Sequence, residues 1–365
     1  MWRRLRVPRG ALLAVYTVAL VLGVRMTLNS SIFQTLEEAA SVETRIDSAA
    51  KESSWSDQSG AHTSPSSTGS PSQACSKEKG LVARRIVHLD LKGAPMRPDY
   101  FIKLFPLLKE LGATGILMEW EDMFPFKGRL KIAVNGFAYS PDDVKAILTA
   151  AKKANLEVIP LVQTFAHLEW ILKLPELAAL REKRKYPQVA CVGKELAWDL
   201  IKEAMLEVGE AHAAVAPVPF FHIGADEVFQ AGECPEDKTI MQREGSKGRF
   251  ILWHIARTAR FVRHRLGARV LAWHDMFGHS PKRDIEAEPV NWNYAEDLNS
   301  YMPISIWRTL ASFSHVWGAS AYKGADGPSR WYANIPHYYA NHKSWRNQLS
   351  SISAAGITDF RGIII

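Results

Sequence analysis

The alternation of apolar and polar positions changes character near residue 84 of the 365-residue chain. Beyond that point, short apolar runs alternate with longer segments in which apolar residues recur at helical spacing, and both patterns indicate secondary structure. Each run is nearly continuous apolar sequence, which is typical of strands buried on both faces of a parallel sheet. The eight runs cover residues 86–91, 115–120, 157–163, 215–221, 269–275, 288–294, 314–320 and 362–365.

Eight strand–helix units over about 280 residues predict an α/β fold, a (β/α)8 TIM barrel. Helices are expected from about residue 98 to 111, from Pro141 onward, and from about residue 246 to 266. Ser140 provides an N-cap and Pro141 occupies the first helical position, which is a typical helix start. The alternative is an open doubly wound sheet, but no glycine-rich phosphate loop follows the first strand.

Polar and aromatic side chains gather where the predicted strands end. In a (β/α)8 barrel the chemistry lies at the carboxyl ends of the strands, so these side chains are expected to meet at one pole. No structural need puts so many of them there, and the clustering therefore favours an enzyme. The residues are Asp90, Glu119, Trp120, Gln163, His167, Asp226, Glu227, Trp273, His274, Asp275, Tyr294, Trp317 and Lys323.

Two adjacent carboxylates, Asp226 and Glu227, follow the fourth apolar run. Neighbouring residues on a straight strand point to opposite faces, so both acids face one cavity only if the strand ends and its backbone turns. Gly224 and Ala225 precede them and leave space beside the backbone. Paired acids at the tip of a buried strand suit acid–base chemistry on a sugar. The alternative is an ordinary strand-to-loop junction with two solvated acids.

His88 and Asp90 on the first strand, and His274 and Asp275 on the fifth, raise the alternative of a catalytic metal site. Metal-dependent barrel hydrolases need paired histidines on the first strand, and only one is present here. Scattered His, Asp and Glu residues at strand ends can always be assembled into a nominal site. We therefore predict no metal and no other cofactor, and we interpret His88 as a barrel-interior histidine with a neighbouring partner.

The adjacency of the two acids favours one kind of glycoside hydrolysis over another. A general acid and a protein nucleophile stand about 5–5.5 Å apart and usually lie on different strands. In substrate-assisted hydrolysis, the substrate's own acetamido group attacks the anomeric carbon, one carboxylate orients that group, and the next protonates the leaving oxygen. This second arrangement uses adjacent acids and needs no protein nucleophile.

Residues 222–227, His-Ile-Gly-Ala-Asp-Glu, resemble the His-x-Gly-Gly-Asp-Glu signature of glycoside hydrolase family 20, the β-N-acetylhexosaminidases. Residues 88–93, 162–170 and 318–324 resemble the hexosaminidase D-like branch of that family. The likeness runs from about Ile86 to the end and is far more specific than an Asp-Glu pair alone. It implies an exo-acting enzyme that removes terminal β-linked GalNAc or GlcNAc from a glycan or glycoconjugate.

The resemblance also implies roles for the residues of the predicted catalytic centre. Glu227 would be the general acid that protonates the leaving group. Asp226 would orient and polarise the acetamido group so that an oxazolinium forms and the anomeric configuration is retained. Tyr294 matches the family tyrosine that donates a hydrogen bond to the acetamido oxygen.

Five further residues line or support the pocket in this interpretation. Trp273 and Trp292 would form walls of the acetamido pocket, and Asp90 would bind sugar hydroxyls. His167 and His222 would hold the acids in place without contacting the substrate. Packing in the core is the alternative role for both tryptophans and both histidines.

Two features depart from the family pattern. Ala225 stands where the broad signature has its second glycine, a small-for-small change. The sequence ends at Ile365 inside the predicted eighth strand, where relatives continue into a loop with an aromatic and an acidic residue that contact the sugar. The barrel is therefore expected to be truncated in its eighth unit, and a non-catalytic sugar-binding barrel is the alternative function.

The residues before the barrel carry arginines followed by a charge-free run at 11–24. This pattern favours a cytoplasmic tail and signal anchor over residues 1–28, with attachment to a membrane. Residues 29–82 are rich in Ser, Gly and Pro and are expected to form a disordered stalk before a catalytic domain at 83–365. The expected localisation is a single-pass type II membrane protein with a lumenal domain, or a secreted or lysosomal protein after signal cleavage.

Net charge and cysteine content indicate which further partners and crosslinks to expect. The net charge of +7 is modest and comes in part from the N-terminal arginines, so no nucleic-acid partner is expected, and the oligomeric state is left open. The three cysteines, Cys75, Cys191 and Cys234, are too few for a disulfide scaffold, and their spacing does not match a zinc site. A reduced, solitary thiol is expected for Cys75, with pairing between chains as the alternative.

Overall fold

The computed structural model describes residues 82–93, 95–277, 285–323, 325 and 331–365. Eight parallel strands close into a barrel, which confirms the predicted fold class. In ring order they are β1 (Arg84–Asp90), β2 (Gly115–Glu119), β3 (Glu157–Leu161), β6 (Phe220–His222), β7 (Arg269–Trp273), β8 (Ala287–Trp292), β9 (Val316–Ala319) and β10 (Phe360–Ile364). The remaining strands, β4 (Arg181–Lys183) and β5 (Tyr186–Ala190), form a separate antiparallel hairpin in the connection that follows β3.

Helices follow the barrel strands and cover the outside of the ring. The helices are α1 (Pro98–Glu110), α2 (Pro141–Lys153), α3 (Glu169–Leu172), α4 (Glu195–Ala213), α5 (Pro235–Glu244), α6 (Lys247–Leu266), α7 (Leu298–Tyr301), α8 (Ile304–Leu310) and α9 (Ile335–Ala354), with 3-10 turns at Glu121–Met123, Gly128–Ala133, Pro175–Leu180 and His274–Phe277. Ser140 caps α2 as predicted: its hydroxyl accepts a hydrogen bond from the Asp143 N–H, and the Asp143 carboxylate accepts one from the Ser140 N–H. This reciprocal pair satisfies two N–H groups that the first turn otherwise leaves free.

The inside of the ring is filled by side chains rather than open. Phe220 of β6 and Trp317 of β9 meet edge to face across it, with their ring centroids 5.4 Å apart. The other members of this interior layer are Ile86, Leu117, Ile159, Leu161, Leu271, Trp273, Val290, Ala319 and Ile364. Apolar packing of the interior keeps the strand positions fixed, so that the loops at the carboxyl ends are held on a rigid frame.

The last strand closes the barrel against the first. Ile86 of β1 pairs in parallel with Ile364 of β10, and the Ile365 N–H donates to the Ile86 carbonyl at 2.8 Å. The His88 N–H donates in turn to the Ile365 carbonyl at 2.7 Å. The predicted eighth strand therefore forms and completes the ring.

The fourth barrel strand is shorter than the apolar run that predicted it. That run covers residues 215–221, whereas β6 spans only Phe220–His222. Pro217 and Pro219 explain the difference, because proline has no N–H to donate to a neighbouring strand.

Two cysteines form a disulfide that the sequence did not predict. Cys191 and Cys234 form a disulfide with their Cα atoms 6.1 Å apart and a sequence separation of 43 residues. Both lie in loops that leave neighbouring strands, β3 and β6, on the same side of the barrel. Their proximity depends on this strand neighbourhood, which the cysteine spacing alone did not reveal.

The predicted localisation needs correction. Among the described residues, none of the helices is both long enough and apolar enough to cross a bilayer. This finding contradicts the assignment as a type II membrane protein, which is withdrawn together with its alternative. The anchor (1–28) and nearly all of the stalk (29–82) lie outside the described residues.

Candidate active site

The segment that follows β6 turns sharply. Gly224, Ala225 and Glu227 have positive φ angles of 63°, 69° and 50°. The Trp273 N–H donates a hydrogen bond to the Gly224 carbonyl at 3.0 Å, which fixes the turn against β7. The strand therefore ends before the acids, and the backbone turn brings Asp226 and Glu227 to one side, as the sequence predicted.

Glycine is required at one position of this turn. A Cβ atom added to Gly224 would lie 1.8 Å from Oε1 of Gln163, which is the side chain that accepts the Ala225 N–H at 3.2 Å. Any side chain at Gly224 would displace Gln163 from that contact. Ala225 adopts the same left-handed backbone at a steric cost that glycine does not have. The turn therefore accommodates alanine at position 225 but requires glycine at position 224.

His167 lies between the two carboxylates. Its Nε2 atom is 3.3 Å from Oδ2 of Asp226 and 3.3 Å from Oε2 of Glu227. Burial alone would lower the pKa of His167, but the contact with Asp226 and the charges of Glu169 and Glu227 together outweigh burial and raise the pKa to about 9. The ring is therefore an imidazolium at neutral pH, and its charge offsets the repulsion between the acids.

The two acids differ in exposure. The Glu227 side chain is 38% exposed, against 18% for Asp226. Glu227 is thus the more accessible to a group that enters from solvent, and Asp226 lies deeper in the pocket. This asymmetry allows two chemically similar carboxylates to serve different parts of one substrate.

Asp275 supports the turn from the adjacent strand end. Its carboxylate accepts the Glu227 N–H at 2.8 Å and the indole N–H of Trp292 at 3.3 Å. Burial, together with the charge of Asp226, raises the pKa of Asp275 to about 6. From the sequence, Asp275 is expected at a strand end and as a candidate metal ligand, and a role beside the acids is not predicted for it. The signal that was available is its place directly after β7, the neighbour of β6.

Trp292 and Tyr294 form an aromatic surface next to the acids. Their rings stack with centroids 5.4 Å apart and planes inclined by 22°. Burial raises the pKa of Tyr294, and the charges of Asp226, Glu227 and Asp275 raise it further. The phenol therefore stays protonated and is available as a hydrogen-bond donor close to the carboxylates.

Trp273 and His222 are buried behind the turn. Their ring centroids are 4.3 Å apart, and Trp273 is only 7% exposed. The Gly224 N–H donates to Nδ1 of His222 at 3.0 Å, and burial lowers the pKa of His222 to about 3. The neutral His222 ring thus supports the backbone turn itself, whereas His167 contacts the carboxylates directly.

Asp90 lies in a charged sector at the end of β1. Its carboxylate pairs with Lys92, and the Lys92 Nζ atom is also 3.2 Å from Oε1 of Glu121. Next to this pair, Nε2 of His88 contacts Oε2 of Glu119 at 3.0 Å, so His88 has the neighbouring partner expected for it. Burial and the charge of Glu119 raise the pKa of Glu121 to about 9. Asp90 itself remains accessible at the same pole as the acid pair.

A metal site at the acid pair is the alternative use of this geometry. One atom each of His167, Asp226 and Glu227 lies within 4.8 Å of the other two. A metal would have to displace a proton from His167, because the contacts with the acids raise the pKa of this histidine to about 9. The ion pair accounts for the same three side chains without a metal.

Comparison with known proteins identifies related sequences. Residues 99–347 match the sequence profile described as glycosyl hydrolase family 20, catalytic domain. Hexosaminidase D of Bos taurus is 39% identical over 293 residues, which cover 77% of this chain and 83% of the bovine protein. Hexosaminidase D of Homo sapiens is 37% identical over 293 residues, and the match covers 59% of that protein. The chain thus spans less than two thirds of its human relative.

Solved structures share the fold at low sequence identity. A β-N-acetylhexosaminidase of Streptomyces coelicolor superposes with a TM-score of 0.56 at 18% identity, covering 78% of this chain and 59% of that one. The Streptomyces plicatus N-acetyl-β-hexosaminidase gives 0.55 at 17% identity, covering 78% and 58%. A chitobiase of Flavobacterium johnsoniae gives 0.55 at 13% identity, covering 67% and 39%. These likenesses support the barrel architecture.

Proposed function

Since this chain belongs to glycosyl hydrolase family 20, we propose that it is an exo-acting β-N-acetylhexosaminidase that removes terminal β-linked GalNAc or GlcNAc. Its substrate is a glycan or glycoconjugate that ends in an N-acetylhexosamine. The observation that carries the proposal is the contact of both Asp226 and Glu227 with one ring nitrogen of His167. Two carboxylates on one side of a turn, beside a tyrosine and a tryptophan, suit substrate-assisted hydrolysis.

In the first step, the acetamido oxygen of the substrate attacks C1 while the bond from C1 to the leaving oxygen breaks. Glu227 gives its proton to the leaving oxygen, and Asp226 accepts a hydrogen bond from the acetamido N–H. The product is an oxazolinium whose positive charge faces the Asp226 carboxylate. In the second step, Glu227 takes a proton from water, which attacks C1 and reopens the ring. Two inversions at C1 leave the configuration retained.

The difference in exposure supports this division of roles. Glu227 is the more open to solvent, where the leaving group departs, and Asp226 is the deeper acid. Tyr294 adds to the argument, because the charge of Asp226 is the largest carboxylate influence on its pKa. A phenol donor close to Asp226 suits a group that offers both an N–H and a carbonyl, as an acetamide does.

The other site residues receive supporting roles. Trp292 packs against the acetamido methyl and sugar face, and Trp273 backs the pocket from the barrel interior. Asp90 accepts hydrogen bonds from sugar hydroxyls at the rim. His167 and His222 act as positioning residues, the first on the acids and the second on the turn.

A chromogenic N-acetyl-β-galactosaminide and the matching glucosaminide test the activity. We expect the wild type to release the chromophore and Glu227→Gln to lose at least about 100-fold in kcat, because general acid catalysis contributes roughly that much. A substrate whose leaving group needs no proton should recover much of the loss in Glu227→Gln. Sugar binding without turnover in the wild type would contradict the proposal and indicate a non-catalytic barrel.

A further inference from the structure

A second cluster of chemically reactive side chains lies away from the acid pair. It consists of Glu182 on β4, Cys191 after β5, and Cys234 and Asp237 at the start of α5. All four are buried, with Glu182 4% exposed and Asp237 fully enclosed. One sulfur or oxygen atom of each residue lies within 4.8 Å of the others. We call these four residues the Cys–carboxylate cluster.

Burial of the two carboxylates of the cluster costs free energy when they carry charge. Glu182 accepts hydrogen bonds from the N–H groups of Glu233 and Cys234 through Oε1, but its buried Oε2 has no hydrogen-bond partner among the described residues. Burial and the charge of Asp237 raise the pKa of Glu182 to about 8. Adjacent acids in a closed space are stable only when a proton or a cation lies between them.

Asp237 brings the second carboxylate into the same space. Its oxygens accept the N–H groups of Val192 and Gly193, which directly follow Cys191. Arg257 donates to the Val192 carbonyl at 2.7 Å, and its charge acts on Asp237. The guanidinium thus neutralises part of the negative charge, and one oxygen of each carboxylate lies within 4.8 Å of the two sulfurs.

We propose that the Cys–carboxylate cluster binds one Zn²⁺ ion when its cysteines are reduced. Two thiolates and two carboxylates form a four-donor set, and thiolates select zinc over magnesium or calcium. A tetrahedral site with Zn–S near 2.3 Å and Zn–O near 2.0 Å places its donor atoms roughly 3.3–3.8 Å apart. The donors already lie within 4.8 Å, and the Cα separation of 6.1 Å for Cys191 and Cys234 suits shared ligation as well as a disulfide.

The disulfide and the metal exclude each other. A dithiol reductant gives two electrons and two protons to the Cys191–Cys234 bond, yielding two thiols and an oxidised reductant. Zinc then replaces both thiol protons and the proton held by the carboxylates, all of which pass to solvent. Re-oxidation by a small-molecule disulfide, which takes up two electrons and two protons and becomes two thiols, withdraws both sulfurs and releases the ion. The cluster therefore has two crosslinked states.

Either state ties together the two loops that carry the catalytic groups. Cys191 ends the hairpin that is bonded to the His167 loop, through Leu168 N–H to Gln188 carbonyl and Ala190 N–H to Phe165 carbonyl. Cys234 ends the loop that leaves the acid pair. A crosslink between these loops restricts how far His167 can move from the carboxylates, in the oxidised and the zinc-bound protein alike.

Metal binding can be measured on the full chain without assuming any activity. The protein is reduced with a phosphine, freed of metal, loaded with Zn²⁺ and assayed with a chromogenic zinc indicator. We expect one zinc per chain after reduction and none in the oxidised protein. Co²⁺ in place of zinc should show thiolate-to-cobalt charge-transfer bands and tetrahedral ligand-field bands. Zinc should also protect two thiols from alkylation.

Variants assign the site. Cys191→Ser and Cys234→Ser should each abolish the charge-transfer bands or halve them, and Glu182→Gln should weaken zinc binding by at least about tenfold. Cys75→Ser is the matched control and should leave stoichiometry and spectra unchanged. A folded, reduced wild type that binds no zinc, or that binds it without protecting the two thiols, would overturn the proposal.

Discussion

Replacing Asp226 by asparagine should lower the pKa of His167 from about 9 toward its ordinary value of 6.5. In the wild type, burial lowers this pKa, and the contact with Asp226 together with the charges of Glu169 and Glu227 more than compensates. Asparagine keeps the shape of Asp226 but carries no charge, so the strongest of the groups that oppose burial loses its effect. Glu227→Gln is the matched control. It removes a smaller contribution, and most of the raised pKa should remain.

The size of the effect follows from the pKa change. A rise from 6.5 to about 9 on folding corresponds to a net stabilisation of about 3 kcal/mol, with the cost of burial already subtracted, at about 1.4 kcal/mol per unit. Folding raises this pKa, so the stabilisation is fully present below pH 6.5 and is lost as the pH rises through about 9. The difference in unfolding free energy between wild type and His167→Gln should therefore shrink from pH 6.5 to above pH 9.

Ring-nitrogen NMR of protein with ¹⁵N-labelled histidine measures the pKa directly. The chain has 12 histidines, and the signal absent from His167→Gln identifies the relevant one. Urea unfolding of the same proteins at several pH values gives the stability difference. The reasoning is refuted if His167 titrates below 6.5 in the wild type, or if Glu227→Gln lowers its pKa more than Asp226→Asn does.

Three further predictions concern the turn and its surroundings. Gly224→Ala should lower the unfolding free energy measured in urea by roughly 2–5 kcal/mol, because backbone strain and the collision with Gln163 act together. Gly356→Ala is the control, since it also lies at positive φ but has open space around it, and it should lower the unfolding free energy by only about 1–2 kcal/mol. Asp275→Asn should lower kcat while circular dichroism stays unchanged. The amide NH2 group of asparagine cannot accept a hydrogen bond, so either the Glu227 N–H or the Trp292 indole N–H loses its acceptor. An unchanged kcat would contradict this. A strong chelator should leave glycosidase activity of the oxidised protein unchanged, whereas its loss would revive a metal at the acid pair.

Much of the fold could be predicted because strands buried on both faces appear in the sequence as continuous apolar runs. Apolar runs predicted all eight barrel strands. The strand before Asp226 begins later than its run, because prolines interrupt the first part of that run. The turn at Gly224 was predicted from a geometric necessity, since adjacent acids reach one cavity only where a strand ends. Both inferences depend on residues close together in sequence.

The rest of the site depends on contacts between distant residues. The cationic state of His167 comes from a partner 59 positions away, and the support from Asp275 comes through a backbone N–H on another strand. The Cys191–Cys234 pair requires knowing that β3 and β6 are neighbours despite the hairpin between them. Such contacts leave no periodic pattern in the chain.

The most direct test of the central claim is a substrate series with fluorinated N-acyl groups. Fluorine withdraws electron density from the acyl oxygen, and so weakens the nucleophile that the substrate itself supplies. We predict that kcat/KM of the wild type falls with each added fluorine, by at least about tenfold from acetyl to trifluoroacetyl, or about 1.4 kcal/mol in the barrier. A kcat/KM that does not change across the series would contradict substrate assistance and require a nucleophile from the protein.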